Sequence, residues 1–271
     1  MPAPARLPLA LGAAAARGLL LARVALCFAY FGVGVWWLGV AAPPYAWVLA
    51  RLGRPEDAVT RRAQRAANSL FRSFLFVMTR VMRVGRVEWV GDEALLRGPA
   101  LVVANHPSLI DTPLLGAKLA QADFIVGPEW LRNAWMRRAI AAAGYLRAED
   151  GAAVVRQAAE RLRAGRSVVV YPEGSRTPPE GMQRFHRGAA HIALESGCDM
   201  LPVTIRVTPR VLMRDQSWRR YPARSPVWRI EVGEPIRAPA RLPGESRALA
   251  ARRLTGVLEE HFAKGWERGR S

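Results

Sequence analysis

Residues 101–115 read LVVANHPSLIDTPLL, an apolar β-branched run that stops at Asn105-His106-Pro107 and resumes as a helix-like pattern. Valine suits a pleated, buried strand, and Pro107 disfavours helix at the residue before it. The next helix can begin at Ser108, where Ser108-Leu109-Ile110-Asp111 fits a capping box with its acid at the third helical position. The stretch therefore predicts strand, turn and helix in succession, with His106 emerging at the carboxyl end of the strand. That succession is the building unit of an α/β sheet.

The same alternation extends outward in both directions. Short β-branched runs occur at 86–90, 100–105, 123–127, 167–171, 201–207 and 228–233, with helical stretches at 109–120, 129–143, 151–164 and 187–196 between several of them. A last amphipathic stretch over 245–266 sets Leu254, Val257, Leu258 and Phe262 on one face. This spacing predicts an α/β fold, a mixed and largely parallel sheet flanked by helices. Sites in such sheets gather at the carboxyl ends of strands, and two unusual stretches lie there.

The first is the opening one. The carboxylate of Asp111, carried back over the helix start, could hold one nitrogen of the His106 ring and leave the other to accept a proton. A histidine oriented in this way is a general base suited to neutral pH. Asp111 as a cap residue alone is the plainer alternative. Ser108 is the nearest hydroxyl, but as an N-cap its oxygen would be engaged by backbone N–H groups, and no G-x-S-x-G elbow occurs. A His–Asp dyad without a serine nucleophile implies that the substrate supplies the hydroxyl. The second stretch, VVVYPEGSRT over 168–177, is another strand that ends abruptly. Gly174 permits close approach of backbone to a ligand, Arg176 can grip a phosphate, and Glu173 can position a hydroxyl or an arginine.

Composition frames the partners. The chain has 271 residues, 51% of them hydrophobic, enough for one large α/β domain with an attached segment. The net charge of +18 directs it to polyanions, nucleic acid or an anionic membrane face. Only Lys118 and Lys264 among the 40 basic residues are lysines. Cys27 and Cys198 form no C-x-x-C pair, so neither a zinc site nor a disulfide framework is indicated.

From Val24 to Ala50 no residue is charged. A helix crosses a hydrocarbon core with about 20 apolar residues, and Trp36, Trp37, Tyr45 and Trp47 suit a membrane interface. Pro43-Pro44 is expected to break any helix there, so the segment either spans once or dips in and turns back. The extreme N-terminus, ARLPLALGAAAARG over 5–18, loosely resembles a signal peptide. The stronger apolar segment follows it, which argues against cleavage. Ala58 to Arg83 lacks Pro and Gly and mixes apolar positions with arginines, as in helices that lie on anionic lipid. The division expected is a membrane-anchoring helical segment over 1–84, apolar at 24–50 and basic at 56–83, followed by a catalytic domain over 85–271. The arginine excess after Ala50 places that domain in the cytoplasm, on the inner membrane.

NHPSLID at 105–111 resembles the N-H-x-S-x-x-D motif of the glycerolipid acyltransferases, the lysophosphatidate acyltransferase group, and YPEGSRT at 171–177 resembles their F-P-E-G-T-R-S motif. AGYLRAED at 143–150 sits where the family's second motif lies, shortened and altered, with Gly144 and Arg147 in place. FHRGA at 185–189 is similar to the F-K-x-G-A run, and LPVTI at 201–205 to the fourth motif. The resemblance covers roughly 85–235. It implies that His106 deprotonates an acceptor hydroxyl, that Asp111 orients it, and that the hydroxyl attacks an acyl thioester of CoA or acyl carrier protein. No covalent acyl-enzyme, cofactor or metal is implied. Glu173, Gly174, Ser175 and Arg176 would bind the phosphate end of a lysophospholipid, assisted by Arg147, with Asn105 and Ser108 also at the substrate. The first acceptor expected is 1-acylglycerol 3-phosphate. The altered second motif, Ser175 and His186 leave room for another lysophospholipid, an ornithine-type lipid or a specialised lipid.

Rival readings are weaker. The apolar run over 24–50 is a poor feature for a nucleic-acid binder, and no helix-turn-helix, zinc finger or RNP motif occurs, so no nucleic-acid partner is expected. A thioesterase, with water as acceptor, stays open. A metal site from His106, Asp111, His186 and His191 lacks any H-E-x-x-H pattern.

Overall fold

A computed structural model of the chain describes residues 7–53, 56–238 and 244–267. The first two residues of the signal-like stretch lie outside them. Seven strands form one sheet in the order β1-β7-β6-β2-β5-β3-β4: β1 (Arg86–Val90), β2 (Leu101–Ala104), β3 (Ala122–Val126), β4 (Leu146–Arg147), β5 (Ser167–Val170), β6 (Met200–Thr208) and β7 (Val227–Val232). Every neighbouring pair is parallel except β6 with β7. The central strands β2 and β5 are buried at every position, which explains why they read as continuous apolar runs rather than alternating ones.

Helices cover both faces. On one side lie α1 (Leu7–Arg51), α2 (Glu56–Phe76) and α3 (Asp111–Lys118), and their core joins Val24, Cys27 and Phe74 to Val102, Ala104, Val203 and Trp228. On the other lie α6 (Ala152–Arg163), α7 (Gly188–Ser196) and α8 (Arg247–Glu267), around Leu101, Val168, Ile192, Leu254 and Phe262. The short α4 (Pro128–Leu131) and α5 (Ala134–Ala142) follow β3. The helices of residues 7–76 thus share one core with the sheet.

Two expectations about helices are corrected. α1 runs unbroken through Pro43-Pro44. The pair removes two main-chain donors, but packing on either side holds the helical path. Trp36 meets Trp135 with ring centroids 6.0 Å apart, and Leu49 beyond the prolines is buried. At Gly39 the helix comes so close to α5 that a Cβ would stand 2.8 Å from the Trp135 carbonyl. The segment therefore does not turn back at the prolines.

α3 begins at Asp111 rather than after a cap at Ser108. Pro113 decides this. With Ser108 as the cap, Pro113 would sit in the second turn, where its N–H is needed; starting at Asp111 puts it in the first turn, where none is required.

Candidate active site

β2 and β5 are parallel neighbours in register (Val103 opposite Val170), so the segments after them leave the sheet side by side. Beside them emerge the segments after β3 and β6. Asn105 continues the ladder: its amide accepts from the Ile205 N–H at 2.6 Å and donates to the Ile205 carbonyl at 2.8 Å. It fixes β2 against β6 and is spent on backbone rather than on substrate.

His106 follows. Its Nδ1 lies 2.8 Å from Asp111 Oδ2. Asp111 is fully buried and also accepts from the Ser108 N–H at 2.7 Å and the Ser108 hydroxyl at 2.5 Å. Three donors converge on one acceptor-only group, so Nδ1 carries the ring proton and Nε2 keeps a lone pair. Nε2 makes no hydrogen bond among the described residues.

Ser108 is neither cap nor substrate ligand here. Its hydroxyl donates to Asp111 and accepts from the Trp228 indole N–H at 3.0 Å. The Tyr171 ring stacks on the imidazole, centroids 4.2 Å apart and planes 19° apart. Burial pushes the Tyr171 phenol far above its usual range, so this shelf stays neutral. The second strand end is wired into the first. Buried Glu173 accepts from the His106 backbone N–H at 3.0 Å and from the Thr177 hydroxyl at 2.8 Å, while the Thr177 N–H donates to the His106 carbonyl at 2.7 Å. Burial raises the Glu173 carboxyl despite these donors. Its carboxylate is therefore a clamp on the histidine backbone, where the motif had implied a headgroup contact.

Gly174 and Ser175 instead face an apolar cavity of about 730 Å³ that His106 also lines. Gly174 has φ +71, a left-handed conformation that favours glycine, and packs its Cα side against the exposed His186 ring. Arg176 donates one guanidinium N–H group to the Leu212 and Met213 carbonyls, 3.0 Å each, and burial lowers its pKa. Arg214, outside every motif, donates to the Ser175 hydroxyl at 3.3 Å. Arg147 is not brought to this cluster: its exposed side chain pairs with Glu149 at the sheet edge. Other parts of the cavity wall come from α1, α2, α3, α4, β3 and α5, including Phe31, Leu70, Phe74 and Ile140. Among the described residues no three His, Cys, Asp or Glu side chains group to hold a metal.

Tyr171 and Thr177 bound the quoted YPEGSRT stretch, whereas Trp228 and Arg214 carry no local sequence signal. Trp228 and Ser108 are 120 positions apart, and only the β2–β6–β7 pairing brings them together.

The family model for Acyltransferase matches residues 86–206, from β1 into β6 and across both strand ends. Two curated relatives come from Pseudomonas aeruginosa. A lyso-ornithine lipid O-acyltransferase is 36% identical over 113 residues, 40% of this chain and 43% of the relative. A 1-acyl-sn-glycerol-3-phosphate acyltransferase is 26% identical over 155 residues, 55% of this chain and 60% of the relative. Over residues 86–206 the chain is thus similar to the acyltransferases. The chain spans less than two thirds of each curated relative, 43% of one and 60% of the other. As a fold, the chain resembles the 1-acyl-sn-glycerophosphate (LPA) acyltransferase PlsC of Thermotoga maritima, with TM-score 0.59 and 21% identity over 91% of this chain and 96% of that one.

Proposed function

We propose that the protein is an O-acyltransferase that moves a fatty acyl group from an acyl thioester, acyl-CoA or acyl carrier protein, to the free hydroxyl of a membrane lysolipid. The observation that carries this reading is the His106–Asp111 pair set at an apolar cavity. Nε2 takes the proton of the acceptor hydroxyl, and the oxygen attacks the thioester carbonyl. The C–O bond forms, the C–S bond breaks, and the departing thiolate takes the proton back. General base action contributes about 10²–10⁴-fold, and positioning of the two substrates supplies much of the rest. No cofactor enters these steps.

The cavity suits an acyl chain. Along α2 its wall runs from Val59 to Phe74, about 22 Å of helix, against about 15 Å for one leaflet of a 30 Å hydrocarbon core. The Ser175–Arg176–Arg214 rim offers cations to an acidic headgroup, as 1-acylglycerol 3-phosphate requires. A second acceptor, an ornithine-type lysolipid, is favoured by the 36% identical relative and by Glu129. That carboxylate lines the cavity without a hydrogen-bond or ion-pair partner among the described residues, which suits a headgroup ammonium.

The helix that bounds the cavity also supports membrane attachment. Residues 14–49 of α1 are long and apolar enough to cross a membrane. Its inner face buries Val24, Cys27 and Leu49, while Leu19, Leu26, Tyr30, Val33 and Trp37 form an exposed stripe. A helix apolar all round needs an apolar partner on both sides, and lipid of an anionic membrane fits the outer one. The arginines beyond Ala50 favour the inner membrane, with the catalytic part on the cytoplasmic face.

Labelled acyl-CoA and acyl carrier protein, offered with 1-acylglycerol 3-phosphate or lyso-ornithine lipid to membranes carrying wild type or His106→Ala, test the proposal. Acylated product from at least one acceptor, reduced about 10²–10⁴-fold by the substitution, is expected. Release of free acid with no acylated lipid would make the protein a hydrolase instead.

A further inference from the structure

β6 and β7 are antiparallel neighbours whose ends face each other, Thr208 opposite Val227. A hairpin of two to five residues would join them. The chain instead spends residues 209–226 on the connection, and long ordered loops are commonly functional. The base of this loop is fixed. Val211, Leu212, Met213 and Tyr221 are buried, and the Tyr221 hydroxyl donates to the Val84 carbonyl at 2.6 Å. The Leu212 carbonyl accepts from the Leu109 N–H at 3.0 Å and, like that of Met213, from Arg176.

Its tip is of opposite character. Ser217 caps a short turn over Trp218–Arg220, accepting from the Arg219 N–H at 3.3 Å. Trp218 is 37% exposed, with the Arg219 guanidinium over its ring at 5.8 Å. Between 209 and 226 stand five arginines and one acid, Asp215. The tip is tied to α1: Arg17 donates to the Arg219 carbonyl at 2.7 Å and to the Tyr221 carbonyl. Two residues beyond Arg17, at Leu19, the exposed apolar stripe of α1 begins.

We infer that the 217–220 tip is a second lipid-contacting element, with Trp218 at the headgroup level and Arg219 and Arg220 on anionic lipids. The inference rests on the reading that the outer stripe of α1 meets the bilayer. Aromatic rings favour that depth, and arginines near the surface are drawn to negative headgroups. The same loop holds Arg176 through its Leu212 and Met213 carbonyls. Docking of the tip therefore sets the headgroup side of the site beside the membrane from which a lysolipid arrives.

The test uses the full chain with Cys27→Ala and Cys198→Ala, in vesicles of phosphatidylcholine and phosphatidylglycerol containing chain-brominated lipid. Single cysteines replace Trp218, Trp37 on the α1 stripe, or Arg252 on α8 across the sheet, each carrying a bimane label. Quenching at 218 and 37 but not at 252 is expected. Quenching at 37 with 218 as bright as 252 would overturn the inference and leave the α1 reading standing. An unquenched label at 37 would remove both. A second readout is Arg219→Glu with Arg220→Glu, which leaves the carbonyl tether to Arg17 intact. The apparent KM for vesicle-borne acceptor should rise about tenfold, with no change for a short-chain acceptor in neutral micelles. An equal change in both would also overturn it.

Discussion

The segments after β2 and β5 look alike in sequence, each an apolar strand cut short by a proline and followed by acid, serine and small residues, yet they are built differently. After β2 the polar side chains turn inward. Asn105 is spent on Ile205, Ser108 on Asp111 and Trp228, and Asp111 on His106 and Ser108, which leaves His106 Nε2 as the reactive atom. After β5 the residues divide. Glu173 and Thr177 turn back to clamp the His106 backbone, and Gly174 and Ser175 face the cavity. A motif of consecutive residues thus serves two tasks, holding the base and meeting the ligand.

Removing Asp111's charge tests the first segment most severely. In Asp111→Asn the amide oxygen can still accept from both the Nδ1–H of His106 and the Ser108 N–H by turning its NH₂ to the Ser108 hydroxyl, but the negative charge that would stabilise a protonated ring is gone. Activity should fall by at least about 10²-fold while the variant remains folded by circular dichroism. Retention of more than a tenth of the wild-type rate would show that this carboxylate only caps α3.

Glu173 sharpens the contrast within the second segment. Glu173→Ala strips the acceptor from the buried His106 N–H and the Thr177 hydroxyl, at about 1–3 kcal/mol for an unsatisfied buried group. Both unfolding midpoint and activity should drop. Glu173→Gln keeps an oxygen for both donors, so activity within about fivefold of wild type is expected. If Gln is as inactive as Ala, the negative charge at 173 acts on the substrate and the clamp is not its main role.

How legible each part was follows from the range of the interactions. The six longer strands and the His106–Asp111 contact depend on residues within a few positions of one another, so periodicity and a five-residue spacing carried them. β4 has two residues, too short for any period, and is defined by pairing with β3. The Ser108 cap failed because Pro113, two residues past the acid, moved the start of α3. Pro43-Pro44 failed as a helix break because contacts with α5 override a local preference. Arg147 rests on the motif alone and Glu173 on its residue type and the motif, and only the meeting of β2 with β5, and the position of β4 at the sheet edge, decide what those side chains reach.

A third buried carboxylate, Asp123 in β3, lacks the donors that surround Asp111 and Glu173. Its Oδ1 accepts from Gln64 at 3.0 Å and Arg166 at 2.7 Å, but Oδ2 and the Gln64 side-chain oxygen have no partner among the described residues. Burial raises its pKa, with Arg166 and Arg161 opposing. A proton on the carboxyl would supply the donor this α2–β3 junction lacks. The folded state then binds that proton more tightly than the unfolded chain, so stability falls as pH rises from about 4 through the raised value and levels off above it. Asp123→Asn is neutral throughout and has no such step. The difference in Tm, variant minus wild type, should therefore grow in the variant's favour by a few degrees between pH 4 and pH 8. Parallel Tm curves over that range would mean that Asp123 is ionised in the folded protein and that Arg166 outweighs its burial.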